Sequence, residues 1–125
     1  MKDHAMRDHP VILVAEDESI IGHDLRDTVE EAGYIVEGPH DNVLSAMEAV
    51  QAKRPDLAIL DIQLDDGVVY PLAEKLMQEQ VPVIFHSGQV PLEEMTAMFP
   101  NSRALEKPCP PAEMLDSVAE ALADA

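Results

Sequence analysis

Five polar residues in this chain each follow a candidate strand. Glu16 and Asp17 follow "VILVA", Asp61 follows "LAIL", Ser87 lies just past "VPVIF", and Lys107 lies just past "RALE". Apolar runs of four or five residues, rich in Val, Ile and Leu, read as buried strands. If the strands are parallel, their carboxyl ends share one edge of the sheet. That edge then gathers three carboxylates, a hydroxyl and an ammonium. Two like charges ~4 Å apart repel by about 4 kcal/mol at an effective dielectric near 20. Lys107 offsets part of this, and a hard divalent ion would offset the rest. Mg²⁺ suits the oxygen donors because it takes one or two carboxylates and keeps several waters. Mn²⁺ also fits. An aspartate beside such an ion and a lysine can attack phosphorus, and aspartyl phosphates are an established form of nucleophilic catalysis. Asp61 is the expected nucleophile because it ends the central strand. Lys107 is the expected point charge on one phosphoryl oxygen, and Ser87 the expected hydrogen-bond donor to another.

The elements that must position these groups alternate along the chain. Strands are expected at 11–15, 34–38, 57–60, 81–85 and 103–106. Helical spacing follows each. Ile21, Leu25, Val29 and Ala32 mark the first helix, stopped by Gly33. Val43, Met47 and Val50 mark the second, and Leu72, Ala73 and Leu76 the third, with Pro71 in its first turn. Leu92, Met95 and Phe99 suggest a short fourth helix, and Met114, Val118, Ala121 and Leu122 a fifth. The first, third and fourth strands are apolar throughout, so both of their faces must be covered. That marks a parallel sheet between helices. With right-handed crossovers, the expectation is an α/β, flavodoxin-like doubly wound sheet of five strands, order 2-1-3-4-5, with its site beyond the strand carboxyl ends.

Composition bounds the alternatives. The chain has 125 residues, 46% apolar and 3% aromatic, which is enough for one core built mainly from aliphatic residues. Residues 1–9 read as a polar, flexible tail and 10–125 as one domain. With 25 acids against 8 bases, the net charge is −17, which opposes direct binding to DNA or RNA. A single cysteine, Cys109, leaves no internal disulfide, and no apolar run reaches the ~18 residues of a membrane span. A cytoplasmic protein is expected.

With "VAEDE", "LDIQL", "FHSG" and "LEKP" in order, the sequence resembles the receiver domains of two-component response regulators from about Val11 to Leu122. The resemblance implies transfer of a phosphoryl group to Asp61 from a histidine kinase or a phosphotransfer protein. It implies Mg²⁺ held by Asp17, Asp61 and the backbone carbonyl of Gln63, with Glu16 acting through a metal-bound water. It also implies a Lys107–Pro108 peptide that is often cis. Gln63 and Gln89 flank the expected path of an attacking water and should tune how long the phosphoryl group lasts. Most receivers carry an aromatic switch residue three positions before the lysine. Here Ala104 stands there, followed by Leu105, so the aromatic is missing from the output position. Asp65 stands where most members have proline, and Gly67 comes early. "FHSGQ" resembles the Phe-Ala-Thr-Gly pattern of an alphaproteobacterial subgroup of single-domain receivers, whose partners are often kinases of the HWE or related type. With no output domain after Ala125, the chain is expected to signal by docking on a protein target or to drain phosphate from a kinase. It should catalyse only its own phosphorylation and dephosphorylation. By alternation His86 should point to the face opposite Ser87, as a packed or capping histidine and not a phosphoacceptor.

Three rival readings use related chemistry. A haloacid-dehalogenase-like phosphatase needs a second aspartate two positions after the nucleophile, where this chain has Gln63. A nucleotide or flavin carrier would use the same fold, but no glycine-rich phosphate loop follows the first strand, and with no Trp and two Tyr there is little to stack on flavin. A receiver-fold adaptor working without phosphorylation would have little use for a full set of five pocket residues.

Overall fold

The computed structural model describes residues 9–88 and 92–124. Most of the tail expected at 1–9, and Gln89, lie outside the described residues. His9 is described, and its Nδ1 lies 2.8 Å from the Gly33 carbonyl oxygen.

Parallel strands β1 (Val11–Ala15), β2 (Ile35–His40), β3 (Leu57–Leu60), β6 (Val83–Ser87) and β7 (Arg103–Glu106) form one sheet in the order β2-β1-β3-β6-β7. This is the expected 2-1-3-4-5 order, with a small hairpin inserted in the numbering. Helices α1 (Ser19–Glu31), α2 (Val43–Ala52), α3 (Tyr70–Gln78), α4 (Leu92–Met98) and α5 (Pro111–Asp124) cover it. The wholly apolar β3 has core on both faces. Ala58 and Leu60 pack among residues of α2 and α3. Leu57 and Ile59 pack among Leu25, Val29, Met114 and Val118 of α1 and α5. Burial on two faces is why this strand does not alternate.

Two strand boundaries differ from expectation. The second strand begins at Ile35 because the Tyr34 amide still bonds to the Val29 carbonyl at the end of α1. It then runs on to His40, whose carbonyl accepts the Glu16 amide at 2.8 Å. The fourth long strand runs over 83–87, not 81–85. The Val81 amide is committed to Leu76, and Pro82 has no N–H to offer the ladder.

The unexpected element is an antiparallel pair, β4 (Gln63–Leu64) with β5 (Gly67–Val68), directly after Asp61. Asp65 and Asp66 form its tip. Asp66 accepts the amides of Val43 at 2.6 Å and Leu44 at 3.1 Å, so the tip caps α2. Gly67, with φ near 141°, takes a backbone conformation that disfavours a side chain. The early glycine and the missing proline thus belong to one tight hairpin.

Candidate functional site

The site forms where β1, β3, β6 and β7 end. Register fixes its floor. Ala15 pairs with Leu60, and Leu60 with Phe85. One residue further, Glu16, Asp61 and His86 stand side by side on three adjacent strands. The residues two positions earlier, Val14, Ile59 and Ile84, all sit in the core layer beneath α1 and α5. Period-two alternation therefore turns Glu16, Asp61 and His86 to that same face. All three are buried, at 3%, 9% and 6% exposure.

Lys107 arrives from just beyond β7, where its amide bonds to the Ser87 carbonyl at 3.0 Å. Its ammonium lies 2.8 Å from Glu16 Oε1 and 3.0 Å from Asp61 Oδ2. Glu18 is a looser third partner at 3.7 Å. The other Asp61 oxygen, Oδ1, accepts the Ile62 amide at 2.7 Å. Each carboxylate oxygen of Asp61 thus has its own donor, and the group is held in one orientation. The Lys107–Pro108 peptide is cis, as the resemblance implied.

Crowding shows in the protonation equilibria. Burial, with Asp61 adjacent, pushes the Glu16 carboxyl up to about 7 despite its bond to Lys107. Burial works against the charge on Lys107, but hydrogen bonds to Glu16 and Asp61 outweigh it and raise its pKa. Burial and the nearby Lys107 charge push His86 down to about 4, so it is neutral at physiological pH.

Asp17, Asp61, Gln63, Ser87 and Lys107 line one cleft of about 410 Å³, together with Glu18, Ile62 and Gly88. Ser87 is buried at the strand end. Gln63 is exposed, and its side-chain amide donates to the Leu64 carbonyl at 3.3 Å. The carboxylates of Glu16, Asp17 and Glu18 come within 4.8 Å of one another. A hard-oxygen donor set with one buried acid and an open side suits a small divalent cation that retains water. Glu18 was not singled out from the sequence, although the run of three acids in "VAEDE" marks it. Ala104 and Leu105 fall on opposite faces of β7. Ala104 packs at the edge of the α2–α3–α4 core, and Leu105 is buried on the α1–α5 side. Ala104 pairs in register with Phe85, whose ring lies 5.4 Å from that of Phe99.

The doubly wound parallel sheet, with an acidic cleft and a lysine at its carboxyl edge, is the arrangement of receiver-type signalling modules. The chain matches the response regulator receiver domain family over residues 12–119 and belongs to it. It is 36% identical to the phyllosphere-induced regulator PhyR of Methylorubrum extorquens over 115 residues, 89% of this chain and 43% of that protein. It is 36% identical over 59 residues to the transcriptional regulatory protein PdtaR of Mycobacterium tuberculosis, 46% of this chain and 29% of that protein. The chain therefore spans less than half the length of either relative. Among solved structures, it resembles a response regulator receiver protein from Sinorhizobium medicae with a TM-score of 0.84 and 26% identity, covering 93% and 96% of the two chains. It resembles the PhyR receiver domain of Erythrobacter litoralis with a TM-score of 0.82 and 30% identity, covering 94% and 92%. The recurrence of PhyR supports the subgroup suggested by "FHSGQ". Receiver domains are mainly signalling modules, and they typically bind Mg²⁺ in an acidic pocket. They interact with histidine kinases or phosphotransfer proteins and with downstream targets. Among the described residues, no helix is long and apolar enough to cross a membrane.

Proposed function

We propose that Asp61 accepts a phosphoryl group from a histidine kinase, of the HWE or a related type, or from a phosphotransfer protein. The observation that carries this reading is the Lys107 ammonium held 3.0 Å from a buried, oriented Asp61 in the cleft that Ser87 and Asp17 share. An Asp61 oxygen attacks phosphorus in line. The bond from phosphorus to the donor breaks, and its electron pair leaves with the donor atom. Asp17, Asp61 and the Gln63 carbonyl would hold Mg²⁺, or Mn²⁺, which offsets charge on the phosphoryl oxygens when bound. Lys107 leaves the Asp61 carboxylate for a phosphoryl oxygen, and Ser87 donates to another. Glu16, buried behind them, would contribute through a water that the cation retains. Gln63, on the lining of the cleft, tunes access for the water that later hydrolyses the acyl phosphate.

Output follows from the displacement of Ser87 and Lys107. Both are continuous with the β6–α4 and β7–α5 segments, so the α4–β7–α5 face differs between the two states. The protein acts in the cytoplasm by docking on a protein target or as a phosphate sink. Its net charge of −17 disfavours nucleic acid as a direct partner. It catalyses no reaction beyond its own phosphorylation and dephosphorylation.

The test is incubation with acetyl phosphate and Mg²⁺, followed by intact mass measurement. Wild type should gain one phosphoryl group, and chelation of Mg²⁺ should prevent the gain. Asp61→Asn should gain none. Equal labelling of Asp61→Asn and wild type would remove Asp61 as the acceptor.

A further inference from the structure

Beside Asp61, on the same face and at the same level, lies an imidazole that the phosphotransfer reading leaves unused. His86 is 6% exposed, yet neither ring nitrogen has a hydrogen-bond partner among the described residues. Buried polar groups are nearly always paired, because leaving one unpaired costs ~1–3 kcal/mol. A histidine with two unpaired nitrogens beside a reactive carboxylate therefore suggests a partner acquired in another state of the protein. Asp61 and Lys107 are the charged groups close enough to perturb the ring.

We propose that His86 is a positioning residue for the phosphorylated state, donating a ring N–H to the Asp61 oxygen that Lys107 vacates. In the resting domain Lys107 occupies Asp61 Oδ2 at 3.0 Å, while Ile62 occupies Oδ1. When Lys107 follows the phosphoryl group, Oδ2 loses its donor in a buried setting. His86 follows Phe85, the register partner of Leu60, so it stands beside Asp61 across the β3–β6 pair, and its imidazole has an N–H to give. Lysine and histidine thus alternate as donors to one oxygen. This rests on the reading of Asp61 as the phosphoacceptor.

The consequence is kinetic. In hydrolysis, a water oxygen bonds to phosphorus and the bond from phosphorus to the Asp61 oxygen breaks. Its electron pair returns to the carboxylate, and the water proton leaves to solvent. A donor at the departing carboxylate stabilises the charge that develops there, so His86 shortens the life of the acyl phosphate. One such hydrogen bond is worth about a three- to tenfold change in rate.

The first experiment needs no variant. Ring-nitrogen NMR of ¹⁵N-labelled wild type is recorded with Mg²⁺, before and after adding beryllofluoride. The His86 N–H should move to a hydrogen-bonded shift when beryllofluoride binds. The second measures phosphoryl lifetime. His86→Phe should lengthen it about three- to tenfold, and His86→Asn, which keeps an N–H donor, should stay within about twofold of wild type. Unchanged His86 ring resonances in a protein that binds beryllofluoride would overturn the proposal, as would a wild-type lifetime in His86→Phe. A wild type that takes up neither beryllofluoride nor phosphate would instead overturn the reading of Asp61, and this proposal with it.

Discussion

Replacing His86 with phenylalanine should unmask a pH dependence of stability that nearly cancels in the metal-free wild type. Two buried neighbours on the floor of the site titrate in opposite senses. Folding moves His86 from its ordinary 6.5 down to about 4, so the unfolded chain binds more protons between those values. Its contribution is fully present above pH 6.5 and is lost as pH falls towards 4. Folding moves Glu16 from 4.5 up to about 7, so there the native state binds more protons. Its contribution is fully present below pH 4.5 and is lost as pH rises through 7. At ~1.36 kcal/mol per pH unit, each displacement amounts to about 3 kcal/mol. The two slopes nearly cancel in wild type. In His86→Phe only the Glu16 slope remains, and at pH ~5 the variant should gain about 2 kcal/mol on wild type relative to neutral pH. Urea unfolding of both proteins in chelator, at steps from pH 7 to 4.5, measures this. The background titration of exposed acids cancels in the difference between the two proteins. Parallel stability curves would refute the burial argument for His86.

Other perturbations follow from the same contacts. Lys107→Met leaves the Glu16 and Asp61 carboxylates facing each other; urea unfolding should show a loss of about 2–3 kcal/mol at pH ~8 and a smaller loss at pH ~5, where Glu16 takes up a proton. Asp66→Ala removes the carboxylate that caps two amides of α2, whose bonds also hold its pKa down. Its urea midpoint should fall, Asp66→Asn should recover most of the loss, and the difference from wild type should vanish as pH drops through the depressed pKa. Gly38→Ala places a Cβ 2.5 Å from the Val14 carbonyl oxygen at a φ of +122°; thermal unfolding should report a loss of about 2–4 kcal/mol.

The apolar character of "VILVA" and "LAIL" located β1 and β3 because strands buried on both faces have little freedom to be anything else. "RALE" forms β7 although it holds few β-formers, and it sits at the sheet edge with only Leu105 buried. The boundaries of β2 and β6 depended on where single amides go, at Tyr34 and Val81, which periodicity does not encode. The β4–β5 hairpin escaped because each strand has two residues. Its Asp-Asp-Gly turn between Leu64 and Val68 was the available signal. Asp61, Lys107 and Ser87 were legible because topology alone brings strand ends together. His86 was legible as packed, but its place in a row with Glu16 and Asp61 needs the register of three strands. That Glu16 bonds Lys107 directly needs the side-chain geometry.

The most direct test of the account is chemical trapping of the acyl phosphate. After reaction with a phosphodonor and Mg²⁺, borohydride reduces an aspartyl phosphate to homoserine, which peptide mass spectrometry locates. The account predicts homoserine at position 61, with none when Mg²⁺ is chelated. Homoserine at Asp17 or another acid, with Asp61 intact, would contradict it.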